Sequence, residues 1–265
     1  MVVYIYTAIK DMKISNTMKK IILLIGLLVC ATAAQVVFGQ TSEGTIIYEV
    51  KVNVHRNMPA QDEEMKKMVP EFNVHKDQLF FNANETLYKT LEEEEDAEPE
   101  DESSGGGMRM RFTRPKSEHY FNQASFKRVL LQEFMGKKFL IEDSIKITPW
   151  KLGTATKEVL GYTCKQATYF NEDRKQNIVA WYTDKLRPFM GPEGFVSLPG
   201  TVMQIDINEG ERTLTARKIE SRPLVKGEMK IPSSGQKITE KDFRKLVEEQ
   251  VKRMGGNGGR VIIRN

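Results

Sequence analysis

The chain has 265 residues, with 40 Lys and Arg against 36 Asp and Glu, 40% apolar residues and two cysteines. The first 39 residues carry Lys10, Lys13, Lys19, Lys20 and Asp11; without them 36 of the 40 basic side chains face 35 of the 36 acidic ones, a net charge of about +1. The basicity of the whole chain is therefore no sign of nucleic-acid binding, and no polyanionic partner is implied.

Met18, Lys19 and Lys20 form a short cationic stretch before an uncharged apolar run over residues 21–30. That pattern predicts a signal peptide cleaved near Gly39, after Val37-Phe38-Gly39, with residues 1–17 as an upstream extension. Two alternatives stand beside it. A membrane anchor is disfavoured because the apolar run falls short of the roughly 20 residues that span a bilayer, and Gln35 interrupts its continuation. A lipidated Cys30 is disfavoured because Val29, in place of a small residue, precedes it. The expected mature chain, 40–265, is exported to the periplasm or held at the outer membrane, without an integral membrane segment. It is long enough for one β-rich domain with its own core, and with Cys30 removed Cys164 has no intrachain disulfide partner.

Residues 45–54 alternate, with Ile46, Tyr48, Val50, Val52 and Val54 on one face, and predict a half-buried strand. Residues 59–69 permit a helix that Pro70 ends. Leu79-Phe80-Phe81 and Thr86-Leu87-Tyr88 flank a turn-rich tetrad and predict a hairpin. Residues 92–107, acidic and then Gly-rich, read as a flexible solvated excursion and not as a calcium loop, since no regular ligand spacing is present. Further strands are expected at 128–134, 138–141, 164–170, 177–183, 201–207 and 212–219, joined by short turns that favour an antiparallel sheet. Thr239 can cap a helix carrying Phe243, Leu246, Val247, Val251 and Met254 at helical spacing, and Val261-Ile262-Ile263 suggests a last strand.

Catalytic motifs are missing from this pattern. His55, His75 and His119 lie in separate segments, without the spacing of a metal site. Cys164 reads as a small buried residue, with a hydrolase or thiol enzyme using it together with a distant His119 or His55 as the alternative. No cofactor is implied.

The most informative stretch is 161–219. It contains Gly161-Tyr162-Thr163-Cys164-Lys165-Gln166-Ala167, then Ala180-Trp181-Tyr182-Thr183, then Gly191-Pro192-Glu193-Gly194-Phe195-Val196-Ser197-Leu198-Pro199-Gly200-Thr201-Val202. It resembles the GLPGLI family of exported bacterial proteins, whose hexapeptide here stands as Ser-Leu-Pro-Gly-Thr-Val at 197–202. Leu198, Pro199, Gly200, Gly191, Pro192 and Phe195 match the family pattern; Ser197, Thr201 and Val202 depart from it. Trp150, the signal peptide and the C-terminal helix also sit where the family has them. The resemblance implies export and architecture, not a particular activity.

The fold class expected is mainly β (α+β): one curved antiparallel sheet, on the analogy of a half-barrel, with the C-terminal amphipathic helix packed on it. Leu198-Pro199-Gly200 reads as a turn in which Gly200 takes a positive φ. The functional expectation is a non-catalytic, chaperone-like binding role for an apolar ligand or an envelope protein. Its site would be a mouth lined by Trp181, Phe189 and Phe195 with Leu198, Pro199 and Gly200. A structural partner of an outer-membrane complex is the remaining alternative.

Overall fold

A computed structural model describes residues 43–58, 63–91, 116–186 and 190–253. These belong to the compact unit Ser42–Asn265. The signal-peptide region with Cys30, the excursion at 92–107, Phe189, Met254 and the strand expected at 261–263 lie outside the described residues.

Among the described residues twelve strands form one open sheet: β1 (Gly44–Asn53), β2 (Phe72–Phe81), β3 (Glu85–Thr90), β4 (Ser117–Asn122), β5 (Lys127–Phe134), β6 (Lys137–Ser144), β7 (Lys151–Val159), β8 (Tyr162–Asn171), β9 (Gln176–Thr183), β10 (Thr201–Ile207), β11 (Arg212–Ser221) and the two-residue β12 (Gln236–Lys237). Among the described residues two helices accompany them, a short α1 (Glu63–Met68) and α2 (Glu240–Arg253). The strand order is β12-β6-β5-β4-β3-β2-β1-β11-β10-β9-β8-β7. All neighbours are antiparallel except β12 with β6. Two meanders, β1 to β6 and β7 to β11, are joined by the long β1–β11 ladder, whose register slips between Ile47 and Tyr48.

Connectivity alone requires this sheet to curl. In the strand order β6 and β7 are ten positions apart, about 48 Å across a flat sheet. Only residues 145–150 join them, and seven Cα steps reach at most about 25 Å.

The inner face carries the main core. Ile46, Tyr48 and Val50 of β1 meet Leu214 and Ala216 of β11 and Leu79 of β2, and Met203 and Ile205 of β10 extend the same cluster. Tyr48 is fully buried; its hydroxyl donates to the Val202 carbonyl at 2.7 Å, and burial raises its pKa. On the outer face of β2 to β6, Phe80, Leu87, Tyr120, Val129 and Leu131 form a second cluster under Leu224 and Met229 of the segment after β11.

Helix α2 covers the inner face at the other end of that half. Thr239 caps it, its Oγ1 accepting from the Asp242 amide at 3.1 Å. Phe243 and Val247, four residues apart, bury against Leu130, Phe139 and Ile141, with Phe243 5.4 Å from the Phe139 ring and 6.2 Å from Phe134. Among the described residues no helix is long and apolar enough to cross a membrane.

Candidate binding cavity

At one end of the curled sheet, five residues from five adjacent strands fall into a cross-strand row. Val52 of β1 pairs Arg212 of β11, Arg212 pairs Ile207 of β10, Ile207 pairs Ile178 of β9, and Ile178 pairs Tyr169 of β8. Directly opposed residues share a face, so the row makes a floor that is apolar apart from Arg212. It forms the base of a cavity of about 590 Å³.

Helix α2 supplies one wall, with Glu240, Arg244 and Glu248 at four-residue spacing along one side. Glu240 gathers three cations: Lys146 at 2.7 Å, Arg244 at 2.6 Å and Arg128 at 3.3 Å. Burial by itself would raise the Glu240 carboxyl, but the hydrogen bonds from Lys146 and Arg244 and the charge of Arg128 outweigh it and hold the pKa down at about 2. Arg244 also reaches Asp173 in the β8–β9 turn at 3.0 Å, so the helix is tied to both meanders.

The segment 190–200 supplies the opposite wall and crosses the inner face from β10 to β3 and β4. Met190 packs with Phe121 and Val196, and the Thr86 hydroxyl lies 3.3 Å from its Sδ. Gly194, at φ +88°, lies so close to Phe121 that a Cβ would approach the ring to 2.8 Å. Glu193, buried at φ 52°, forms an ion pair with Arg212 in the floor. Residues 145–150 lie against this wedge: Trp150 Nε1 donates to the Val196 carbonyl at 2.9 Å and the Thr148 amide to Ser197 Oγ at 3.3 Å.

The residues singled out from sequence separate. Phe195 lines the cavity, 6.4 Å from the Trp150 ring. Leu198 is buried in the main core and Pro199 is exposed. Trp181 is absent from the cavity lining; the ammonium of Lys157, on β7, sits 4.3 Å above its ring. Gly200 has no left-handed φ; Ser197 takes it instead, at φ 72°. What fixes Gly200 is close approach, since a Cβ there would run into the Thr183 carbonyl. The expected open mouth is thus partly filled by its own loop.

Two of the three histidines share one polar layer. Their strands are separate in sequence, but Tyr88 on β3 bridges two of them: its hydroxyl donates to Asp77 Oδ2 at 2.6 Å, His75 Nε2 lies 3.8 Å from that oxygen, and the His119 ring stands edge-on to Tyr88 at 6.0 Å. Ser117 Oγ is 3.5 Å from His119 Nε2. All five residues are buried and none lines the cavity, so this is a polar layer within the core. His55 is elsewhere, its Nε2 2.8 Å from the Val69 carbonyl. The signal that could have revealed the layer is the polar residues His75, Asp77 and His119 occupying the inward parity of β2 and β4.

Cys164 is fully buried, its thiol donating to the Tyr162 carbonyl at 3.4 Å. Burial pushes the thiol up to about 11 in spite of the nearby Lys157 charge, so little thiolate exists at neutral pH. Among the described residues no group of three or more His, Cys, Asp or Glu could hold a metal.

No family model and no curated protein sequence matches the chain. Among solved structures it resembles PNGF-II in two crystal forms, with TM-scores of 0.53 and 0.51, each at 13% identity and over 78% of this chain. The chain spans about a third (33%) of PNGF-II. At that identity the likeness is one of fold alone.

Proposed function

We propose that this is an exported envelope protein of the GLPGLI type with a non-catalytic binding role, and that its guest enters the cavity between α2, residues 145–150 and the wedge at 190–200. The observation that carries the reading is the cavity itself: about 590 Å³, with an apolar row for a floor and charged walls. Ligand sites commonly combine such a concave apolar surface with a few placed polar groups. Ile147, 78% exposed, leaves an apolar rim on the same cavity. The apolar run at 21–30 and the match of 161–219 to the family pattern support export.

The test is to express the chain with its own leader, purify it natively and identify bound lipids, small molecules and proteins by mass spectrometry. A defined guest that is lost in Phe195→Ala and retained in Trp181→Ala supports the cavity. A guest retained in Phe195→Ala overturns it. Intact mass separates cleavage near Gly39 from acylation at Cys30.

A second reading, a structural partner in an outer-membrane complex, draws on β7. This nine-residue strand is exposed along most of its length and, among the described residues, pairs only with β8. Such an edge can accept a partner strand. Crosslinking from β7 to a co-purifying protein, with an empty cavity, would favour it.

A further inference from the structure

Two exposed apolar residues stand beside the cavity, and the backbone holds both of them there. Ile147, 78% exposed, is part of the cavity lining. Phe126, 60% exposed, ends the β4–β5 turn at 123–126, and its carbonyl accepts from the Ile145 amide at 2.8 Å. Phe126 is two residues from Arg128, and Ile145 is two residues from Ile147; Arg128 and Ile147 both line the cavity. Resting on the reading of that cavity as a binding site, we propose that its rim docks on a lipid bilayer, with Phe126 and Ile147 entering the boundary of the hydrocarbon.

The conformation of Phe126 points outside the fold for its purpose. Its φ is 53°, in the left-handed region. Glycine and asparagine favour such a position at a turn, whereas a bulky side chain there costs free energy. Local folding therefore supplies no reason for phenylalanine, and neither does core packing, since most of the residue is in water. A strained, exposed aromatic residue next to a cavity is an outlier of the kind that licenses a functional inference.

Area favours a bilayer over a protein as the partner. Phe126 and Ile147 expose roughly 250 Å² between them, against about 800 Å² per partner in a standard protein interface. A bilayer needs no matching surface, because acyl chains adapt their shape around an apolar side chain that reaches them. Charge does not drive the contact. Lys127 beside Phe126 lies 3.7 Å from Glu142, and Lys146 beside Ile147 lies 3.6 Å from Asp143 and 2.7 Å from Glu240. Docking should therefore require neither anionic lipid nor low salt. A bilayer held at this rim would present its own molecules to the cavity, whose floor is the apolar row that includes Ile207, Ile178 and Tyr169.

Met135 is a matched control within the same chain. It has φ 51° and is 61% exposed, but the eight residues of β5, about 25 Å of strand, separate it from Phe126.

Flotation of the natively purified protein with phosphatidylcholine vesicles tests the docking. The parent should float with the vesicles equally well at low and high salt. Phe126→Asn and Ile147→Ser should each lower the partition coefficient about tenfold or more, as expected for the loss of one buried apolar side chain. The melting temperature of Phe126→Asn should hold or rise, because asparagine suits the left-handed position. Met135→Asn should leave binding within about twofold of the parent. A parent that does not float would overturn the docking. So would flotation only with vesicles containing phosphatidylglycerol at low salt, indifferent to Phe126→Asn and Ile147→Ser. A loss in Met135→Asn as large as that in Phe126→Asn would overturn it also, as indiscriminate apolar adsorption. A guest identified by mass spectrometry in a protein that does not float leaves the cavity reading standing and the docking refuted; flotation through Phe126 and Ile147 with an empty cavity does the reverse.

Discussion

The two meanders belong to one sheet, yet they are buried in different ways. Strands β2 to β6 contain unbroken buried runs: Leu79-Phe80-Phe81, Thr86-Leu87-Tyr88, Val129-Leu130-Leu131-Gln132 and Phe139-Leu140-Ile141. Successive strand residues point to opposite faces, so these strands are covered on both sides, by α2 and the main core within and by the segment carrying Leu224 and Met229 outside. Strands β8 to β11 mostly alternate instead, as in Ile178, Ala180 and Tyr182 or Leu214 and Ala216, and bury chiefly one face. The second meander then fades to β7, where no residue is buried. The doubly covered half is the scaffold, and the cavity sits where the singly covered half turns its inner face toward α2.

That contrast breaks first on core deletions. Leu79→Ala, at a fully buried side chain, should cost about 3 kcal/mol. Leu152→Ala on β7, 62% exposed, should cost less than about 0.5 kcal/mol. Urea unfolding of the two variants checks this, and similar values would mean that the edge meander carries as much of the stability as the scaffold.

Next in size is the wedge. Gly200→Ala forces a Cβ against backbone that cannot move aside cheaply, and about 2 kcal/mol should be lost. Gly210→Ala, at φ +87° with nothing near the added methyl, should cost about 1 kcal/mol through conformation alone. A Gly200→Ala variant as stable as its parent would show that the approach to Thr183 relaxes freely.

The tie between α2 and both meanders should depend on pH. The folded pKa of Glu240, about 2, lies below its ordinary value near 4.5. Its contribution is therefore complete above pH 4.5 and is lost as pH falls from 4.5 toward 2. Hydrogen exchange should show α2 amides losing protection in that window before those of β5, and Glu240→Gln should show weakened α2 protection already at pH 6. Equal protection of α2 in the parent at pH 3 and pH 6 would refute the tie.

The smallest effect separates the two aromatic residues chosen from sequence. Trp181→Ala should leave the amount of co-purifying guest within about twofold, whereas Phe195→Ala should lower it about tenfold, the value of losing a buried aromatic contact. The reverse order would move the site to the β7 side of the sheet.

Local patterns in the chain were sufficient for the β class, for the alternating face of β1, for the β2–β3 hairpin, for most strands after β4 and for a capped helix with Phe243 and Val247 inward, because side-chain parity and capping act over a few residues. β7 escaped notice because Lys-Leu-Gly-Thr-Ala-Thr-Lys-Glu-Val has no apolar alternation to display, and the inward parity of His75 and His119 looked like isolated polar residues. Tertiary structure decided the rest. Tyr48 meets Val202 across 154 positions, Arg128 meets Glu240 across 112, and the loop at 190–200 packs on Phe121 of β4 while walling one side of the cavity. Such contacts depend on which strands become neighbours once the sheet curls, and a periodicity of two residues carries no information about that.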